Sequence, residues 1–212
     1  TDGSVIWKQD RNLGAPEEAA QSYATPVVVD EQDRQVIVVL GADHVTAHNA
    51  ADGNELWRVG GLNPTNHKYF RSIASAAVSD GIVVAPYARG DSLTAIKMGG
   101  MGDVTSTHVT WSNPATSADV PTPAIANGRI FNCRDGGDAR GTVDCLDLLT
   151  GKKIWSGVLP KNRNTYRSSP TVADGKLYIP RQDGTVFVLD AMGSEFKILA
   201  ENTIAEEHTV AS

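Results

Sequence analysis

The chain has 212 residues, 41% of them hydrophobic, which is enough to bury a core. A formal charge of −6 without a basic stripe argues against a duplex nucleic-acid binder, whose electrostatic footprint is a basic face. No apolar run approaches the roughly 18 residues of a membrane-spanning helix, and Thr1-Asp2-Gly3-Ser4 shows no secretion-signal pattern.

In chain order, residues 1–9, with Trp7 near their end, read as one outermost strand. A full unit over 22–60 opens at Thr25-Pro26-Val27-Val28-Val29, turns at Glu31-Gln32-Asp33 and closes with Asp52-Gly53-Asn54-Glu55-Leu56-Trp57. The unit 72–113 opens at Ser75-Ala76-Ala77-Val78, turns at Ser79-Asp80-Gly81 and closes at Trp111, with Gly99-Gly100-Met101-Gly102-Asp103 lengthening its last hairpin turn. The unit 119–158 opens at Thr122-Pro123-Ala124-Ile125, turns at Ala126-Asn127-Gly128 and closes with Thr150-Gly151-Lys152-Lys153-Ile154-Trp155. The unit 166–200 opens at Ser169-Pro170-Thr171-Val172, turns at Ala173-Asp174-Gly175 and Asp183-Gly184, and puts Lys197 where a tryptophan is expected. Residues 208–212 align with the start of another inner strand.

The four tryptophans, Trp7, Trp57, Trp111 and Trp155, share one repeat position, 50, 54 and 44 residues apart. Units of about 40–50 residues, each with short apolar runs and Asx-Gly turns, predict four antiparallel strands per unit, the signature of a propeller blade. Apolar residues fall on consecutive as well as alternate positions, as in sheets buried on both faces. The fold class is therefore all-β: a β-propeller with four four-stranded blades plus one leading outer strand. Both ends fall inside a repeat, so the expectation is part of a larger ring of seven or eight blades, with exposed blade faces that favour self-association.

Ala47-x-Asn49-x-x-Asp52-Gly53-x-x-x-Trp57 and Cys145-x-Asp147-x-x-Thr150-Gly151-x-x-x-Trp155 resemble the tryptophan-docking motif of the pyrroloquinoline-quinone (PQQ)-like propeller repeat family. That family includes the propeller lipoprotein of the outer-membrane β-barrel assembly machinery. The resemblance implies a periplasmic or extracellular, non-catalytic scaffold with a protein or surface ligand, no resident cofactor, and the tryptophans as packing anchors. The rival it also implies is a fragment of a quinoprotein dehydrogenase, which would use PQQ and calcium. A secreted carbohydrate-binding module is a third reading.

Propeller topology puts outer-to-inner connections and second-to-third strand turns on one face. That face collects His67, Tyr69, Arg71, Arg89, Asp91, Arg134, Asn164, Tyr166, Arg167 and Arg181. The planar arginine fork suits carboxylate or phosphate, so these residues form the candidate ligand site. Acidic neighbours Glu17, Glu18, Asp43, Asp119, Asp135, Asp138 and Asp183 oppose it. His44, His48, His67, His108 and His208 are dispersed. The spacing of His44 and His48 is about 13 Å along a strand, too far for one metal. The recurring Thr25, Ser75, Thr122 and Ser169 read as hydroxyls that satisfy backbone rather than as nucleophiles. Cys133 and Cys145 share a predicted hairpin, and their pairing depends on register.

Overall fold

Two-residue turns with both φ values positive match the twist of antiparallel strands, and Asx-Gly supplies them at least cost. Asp80-Gly81 (φ 51 and 72), Asn127-Gly128 (51 and 71) and Asp174-Gly175 (48 and 70) adopt this geometry. The computed structural model describes residues 2–203 except 32 and 115. The strand expected over 208–212, His208, Thr1 and Gln32 lie outside the described residues.

The first sheet contains β1 (Val27–Glu31), β2 (Arg34–Gly41), β3 (His44–Asn49) and β4 (Glu55–Val59). The second contains β5 (Ala77–Ser79), β6 (Ile82–Tyr87), β7 (Ser92–Lys97) and β9 (Val109–Pro114), the two-residue β8 (Gly102–Asp103) falling between its last strands. The third runs β10 (Ala124–Ala126), β11 (Arg129–Cys133), β12 (Thr142–Asp147) and β13 (Lys153–Val158). The fourth runs β14 (Thr171–Ala173), β15 (Lys176–Pro180), β16 (Thr185–Asp190) and β17 (Ile198–Thr203). Each sheet is an antiparallel meander, and β1, β5, β10 and β14 approach one another, so they line a common axis. The chain is a partial β-propeller of four blades.

The hydrophobic core lies between blades rather than within one. Trp57, Val83 and Ile96 pack between the first two blades, Val84, Leu93 and Leu146 between the second and third, and Phe131, Leu177 and Phe187 between the third and fourth. The strands record this arrangement. All six residues of β6 are buried, whereas β2 and β15, in the outermost blades, alternate buried and half-buried positions. The open face of the first blade leaves Val28 58% exposed.

Two repeated devices join the blades. The hydroxyls at the inner-strand starts form a relay: Thr25 N–H donates to Ser75 Oγ (2.8 Å), Ser75 N–H to Thr122 Oγ1 (2.9 Å), and Thr122 N–H to Ser169 Oγ (3.0 Å). Each hydroxyl thus satisfies a backbone donor of the blade before it. The second device is tryptophan against glycine. Trp7 donates to Ala50 O (2.9 Å) and Trp111 to Leu148 O (3.0 Å). Their rings lie so close over Gly53 and Gly151 that an added Cβ would stand 2.5 Å and 2.6 Å from ring atoms. Trp57 and Trp155 are buried, and their indole N–H groups have no hydrogen-bond partner among the described residues. The blades they face carry no such turn.

Three expectations are corrected. Residues 2–9 form no strand, because no ladder partner stands beside them among the described residues, although Trp7 still reaches the first blade. Gly99–Asp103 does more than lengthen a turn. Within it β8 pairs parallel with β4 (Trp57 with Gly102), adding a fifth strand to the first sheet, and one helical turn, α1 (Thr105–His108), follows. The tryptophan position of the fourth blade belongs to Ala200 rather than Lys197. Every blade has a register shift just before this position, pairing Ala47 with Trp57, Ala95 with Trp111, Cys145 with Trp155 and Val188 with Ala200. The turn spans Asp190 to Lys197 where the third blade spans Asp147 to Lys152, and those extra residues displace the alignment.

Candidate functional site

The connections from outer to inner strands and the turns between second and third strands converge on one end of the axis, where a cleft of about 500 Å³ opens. Five of the expected residues line it: Arg71, Arg89, Asp91, Arg134 and Arg167. Asp119, Asp135 and Thr165 complete its polar wall, and the Gly136-Gly137 pair leaves room beside the backbone.

The four arginines are held differently. Arg134 donates from Nε and Nη2 to Asp144 Oδ2 (3.3 and 3.2 Å). Asp144 has a fully buried side chain and is also bound by Lys153 (2.9 Å) and the Ser156 hydroxyl (2.7 Å). Arg71 and Arg89 lean on one oxygen of Glu18, at 3.3 and 3.8 Å. Arg167 is exposed and makes no hydrogen bond or ion pair among the described residues.

The aspartates do structural work that the sequence did not reveal. Asp135 accepts the backbone N–H groups of Asp119 (3.0 Å) and Val120 (3.2 Å), fixing the entry of the third blade, while the Thr165 hydroxyl donates to its carbonyl. Burial, then the Asp135 charge, pushes the Asp119 carboxyl above the usual range, and the charges of Arg89, Arg71 and Arg167 oppose that shift.

His67 and Tyr69 sit on the neighbouring loop, outside the cleft wall. His67 stacks on Phe70 (4.1 Å between centroids) with Tyr69 at its edge (5.7 Å). Asn63 staples this loop, donating to both Asp43 oxygens (3.2 and 3.1 Å) and accepting from His67 N–H (2.8 Å). Arg89 Nε donates to Tyr69 O (3.1 Å), so the aromatic loop borders the cleft. Tyr166 and Arg181 are elsewhere: both are buried, at 2% and 5% exposure. Arg181 donates to both Asp183 oxygens (3.0 and 3.1 Å) and lies over the Phe187 ring (5.1 Å), while Tyr166 packs against Gly141. The Arg181 head is bonded within its own turn, also donating to Thr185 Oγ1 (3.1 Å), and neither residue lines the arginine cleft. Asn164 likewise bonds to Asp183 (3.3 Å).

A family described as the outer membrane protein assembly factor BamB matches residues 1–100 and 102–209. The chain belongs to this PQQ-like propeller family. Among solved structures it is similar to BamB from Moraxella catarrhalis (TM-score 0.68, 16% identity, 99% of this chain and 57% of that one). It is also similar to a quinohemoprotein alcohol dehydrogenase from Pseudomonas putida HK5 (0.66, 17%, 96% and 36%) and to the computationally designed Ika8 protein (0.62, 16%, 87% and 50%). At these identities the likeness shows the fold. The chain spans 57% or less of each of these three chains. No curated protein sequence matches it.

The dehydrogenase likeness raises the question of a quinone with calcium. Among the described residues no aromatic ring lines the cleft for stacking, and both Asp135 oxygens accept backbone N–H groups. Among the described residues no group of three or more His, Cys, Asp or Glu side chains could hold a metal ion, and no helix is long and apolar enough to cross a membrane. Cys133 and Cys145 are free buried thiols, paired across the ladder with Val143 and Phe131 respectively rather than with each other.

Proposed function

We propose that this chain is part of a non-catalytic propeller scaffold of the periplasm or cell exterior that holds a partner protein on the loop face around the arginine cleft. One observation carries the reading: arginines from four separate loops converge on one cleft, and one of them, Arg167, makes no hydrogen bond or ion pair among the described residues. Convergence from separate loops requires the folded scaffold, and guanidinium forks aimed at one volume suit carboxylate or phosphate groups of a ligand. The bordering His67–Phe70 loop adds exposed aromatic surface, with Tyr69 42% exposed, of the kind that anchors protein interfaces. The deep partners of Tyr166 and Arg181 supply rigidity beneath it.

Photo-crosslinking from this face tests the proposal. A photoreactive residue at Tyr69 is expected to give one discrete protein adduct, lost when Arg71 and Arg167 are replaced by alanine. The same residue at Asp174, on a turn at the opposite end, is expected to give none. Equal adducts from both positions would overturn the reading. The dehydrogenase alternative is tested by adding PQQ and calcium and following dye-linked alcohol oxidation, for which no turnover is expected.

A further inference from the structure

Three of the four cleft arginines already touch a carboxylate, and the two carboxylates differ in how firmly they are held. Asp144, which holds Arg134, is buried in its sheet and has two further partners, so that pair is permanent. Glu18 belongs to none of the sheets. It lies on a single 3-10 turn, Glu17–Ala20, with its side chain 43% exposed. Arg71 and Arg89 share only its Oε2, at 3.3 and 3.8 Å, which leaves neither guanidinium with the two parallel bonds its fork can make. The turn itself is pinned through its backbone and the buried Ala19, whose N–H donates to Pro16 O (2.9 Å) and Lys68 O (3.1 Å). The Glu18 side chain can therefore leave the arginines without unfastening the turn.

We propose that Glu18 is an internal stand-in for the carboxylate of the cleft's ligand. An acidic segment of a partner protein binds by displacing Glu18 from Arg71 and Arg89 and by placing a further carboxylate on Arg167. This rests on the reading of the cleft as the docking site. Physically, the stand-in keeps two adjacent guanidinium groups from repelling each other while the cleft is empty. Its poor geometry makes it easy to replace, because an ion pair this exposed contributes little. A ligand with two carboxylates gains the bidentate geometry that Glu18 lacks and a partner for Arg167, for the loss of one weak contact.

The test is fluorescence anisotropy of a labelled hexaglutamate peptide with the full chain at low ionic strength, beside a hexaglutamine control. Glu18→Gln keeps the side-chain shape and removes the competing charge, and is expected to tighten hexaglutamate binding about two- to fivefold, the range of an exposed pair. Arg167→Ala is expected to loosen it about fivefold. In an Arg71→Ala background most of the gain from Glu18→Gln should vanish. If Arg167→Ala loosens binding but Glu18→Gln does not tighten it, the stand-in role is overturned and the docking site stands. If neither the parent chain nor the Glu18→Gln variant prefers hexaglutamate over hexaglutamine, both are overturned.

Discussion

Replacing Gly151 by alanine tests the contact that joins the second blade to the third. Two effects combine there: the backbone is left-handed (φ +67), and the new Cβ would stand 2.6 Å from Trp111 Cδ2. The left-handed conformation alone costs an L-residue about 1–2 kcal/mol. Gly128→Ala isolates that cost, since φ is +71 but nothing lies within 4 Å of the added Cβ. At Gly151 the indole must also retreat by about 1 Å to reach ordinary contact, losing the 3.0 Å hydrogen bond to Leu148 O, for about 1 kcal/mol, and some packing on the turn. Gly151→Ala is therefore expected to destabilise by about 2 kcal/mol more than Gly128→Ala. Urea melts followed by tryptophan emission measure the difference, which corresponds to a Tm lower by roughly 4–8 °C for a chain of this size. If the two variants agree within about 0.5 kcal/mol, the close packing of Trp111 is not what joins these blades.

The hydroxyl relay predicts that Thr122→Val, which strips the acceptor from Ser75 N–H, costs about 1–2 kcal/mol. Thr25→Val, whose hydroxyl accepts no bond among the described residues, should cost under about 0.5 kcal/mol in the same melts. The Asp183 carboxyl is held far below the usual range chiefly by the Arg181 guanidinium. The unfolded chain therefore binds more protons in that window. The stabilisation is complete above the ordinary carboxylate value and is lost as pH falls below it. Asp183→Asn should cost about 2 kcal/mol at pH 7, much of it from leaving buried Arg181 unpaired, and the gap from the parent should narrow below about pH 4 in paired melts. Burial pushes the Cys145 thiol up to about 11 and the Cys133 thiol higher still. An alkylating reagent at pH 8 should thus label neither in the folded chain and both in urea, by intact mass. Labelling of folded protein would refute the buried placement.

Much of the fold was legible because a repeat states its structure several times. Trp57, Trp111 and Trp155 recur at one ladder position, and the Asx-Gly turns fall where the left-handed backbone requires them. The serine and threonine relay was readable for the same reason, since a hydroxyl recurring once per blade answers a backbone need that also recurs. Lys197 misled because residue counting assumes turns of constant length, whereas the longer Asp190–Lys197 turn moves the position to Ala200. In the cleft, loop topology correctly gathered Arg71, Arg89, Asp91, Arg134 and Arg167. The same logic could not separate Arg167 from Arg181, since both lie in loops of one face. Which of them points to solvent depends on whether a neighbour such as Phe187 covers it.

The sequence by itself determined the blade plan: local turn chemistry and strand-period patterning are short-range properties, written within each unit and repeated. The tertiary structure alone decided which blades join through tryptophan and glycine. Trp7 and Trp111 find Gly53 and Gly151 across the gap, while Trp57 and Trp155 meet no such turn. It also decided which arginines remain available: Arg134 with Asp144 and Arg181 with Asp183 pair within one hairpin or turn, whereas the pairing of Arg71 and Arg89 with Glu18 is fixed by distances between loops that no single unit encodes.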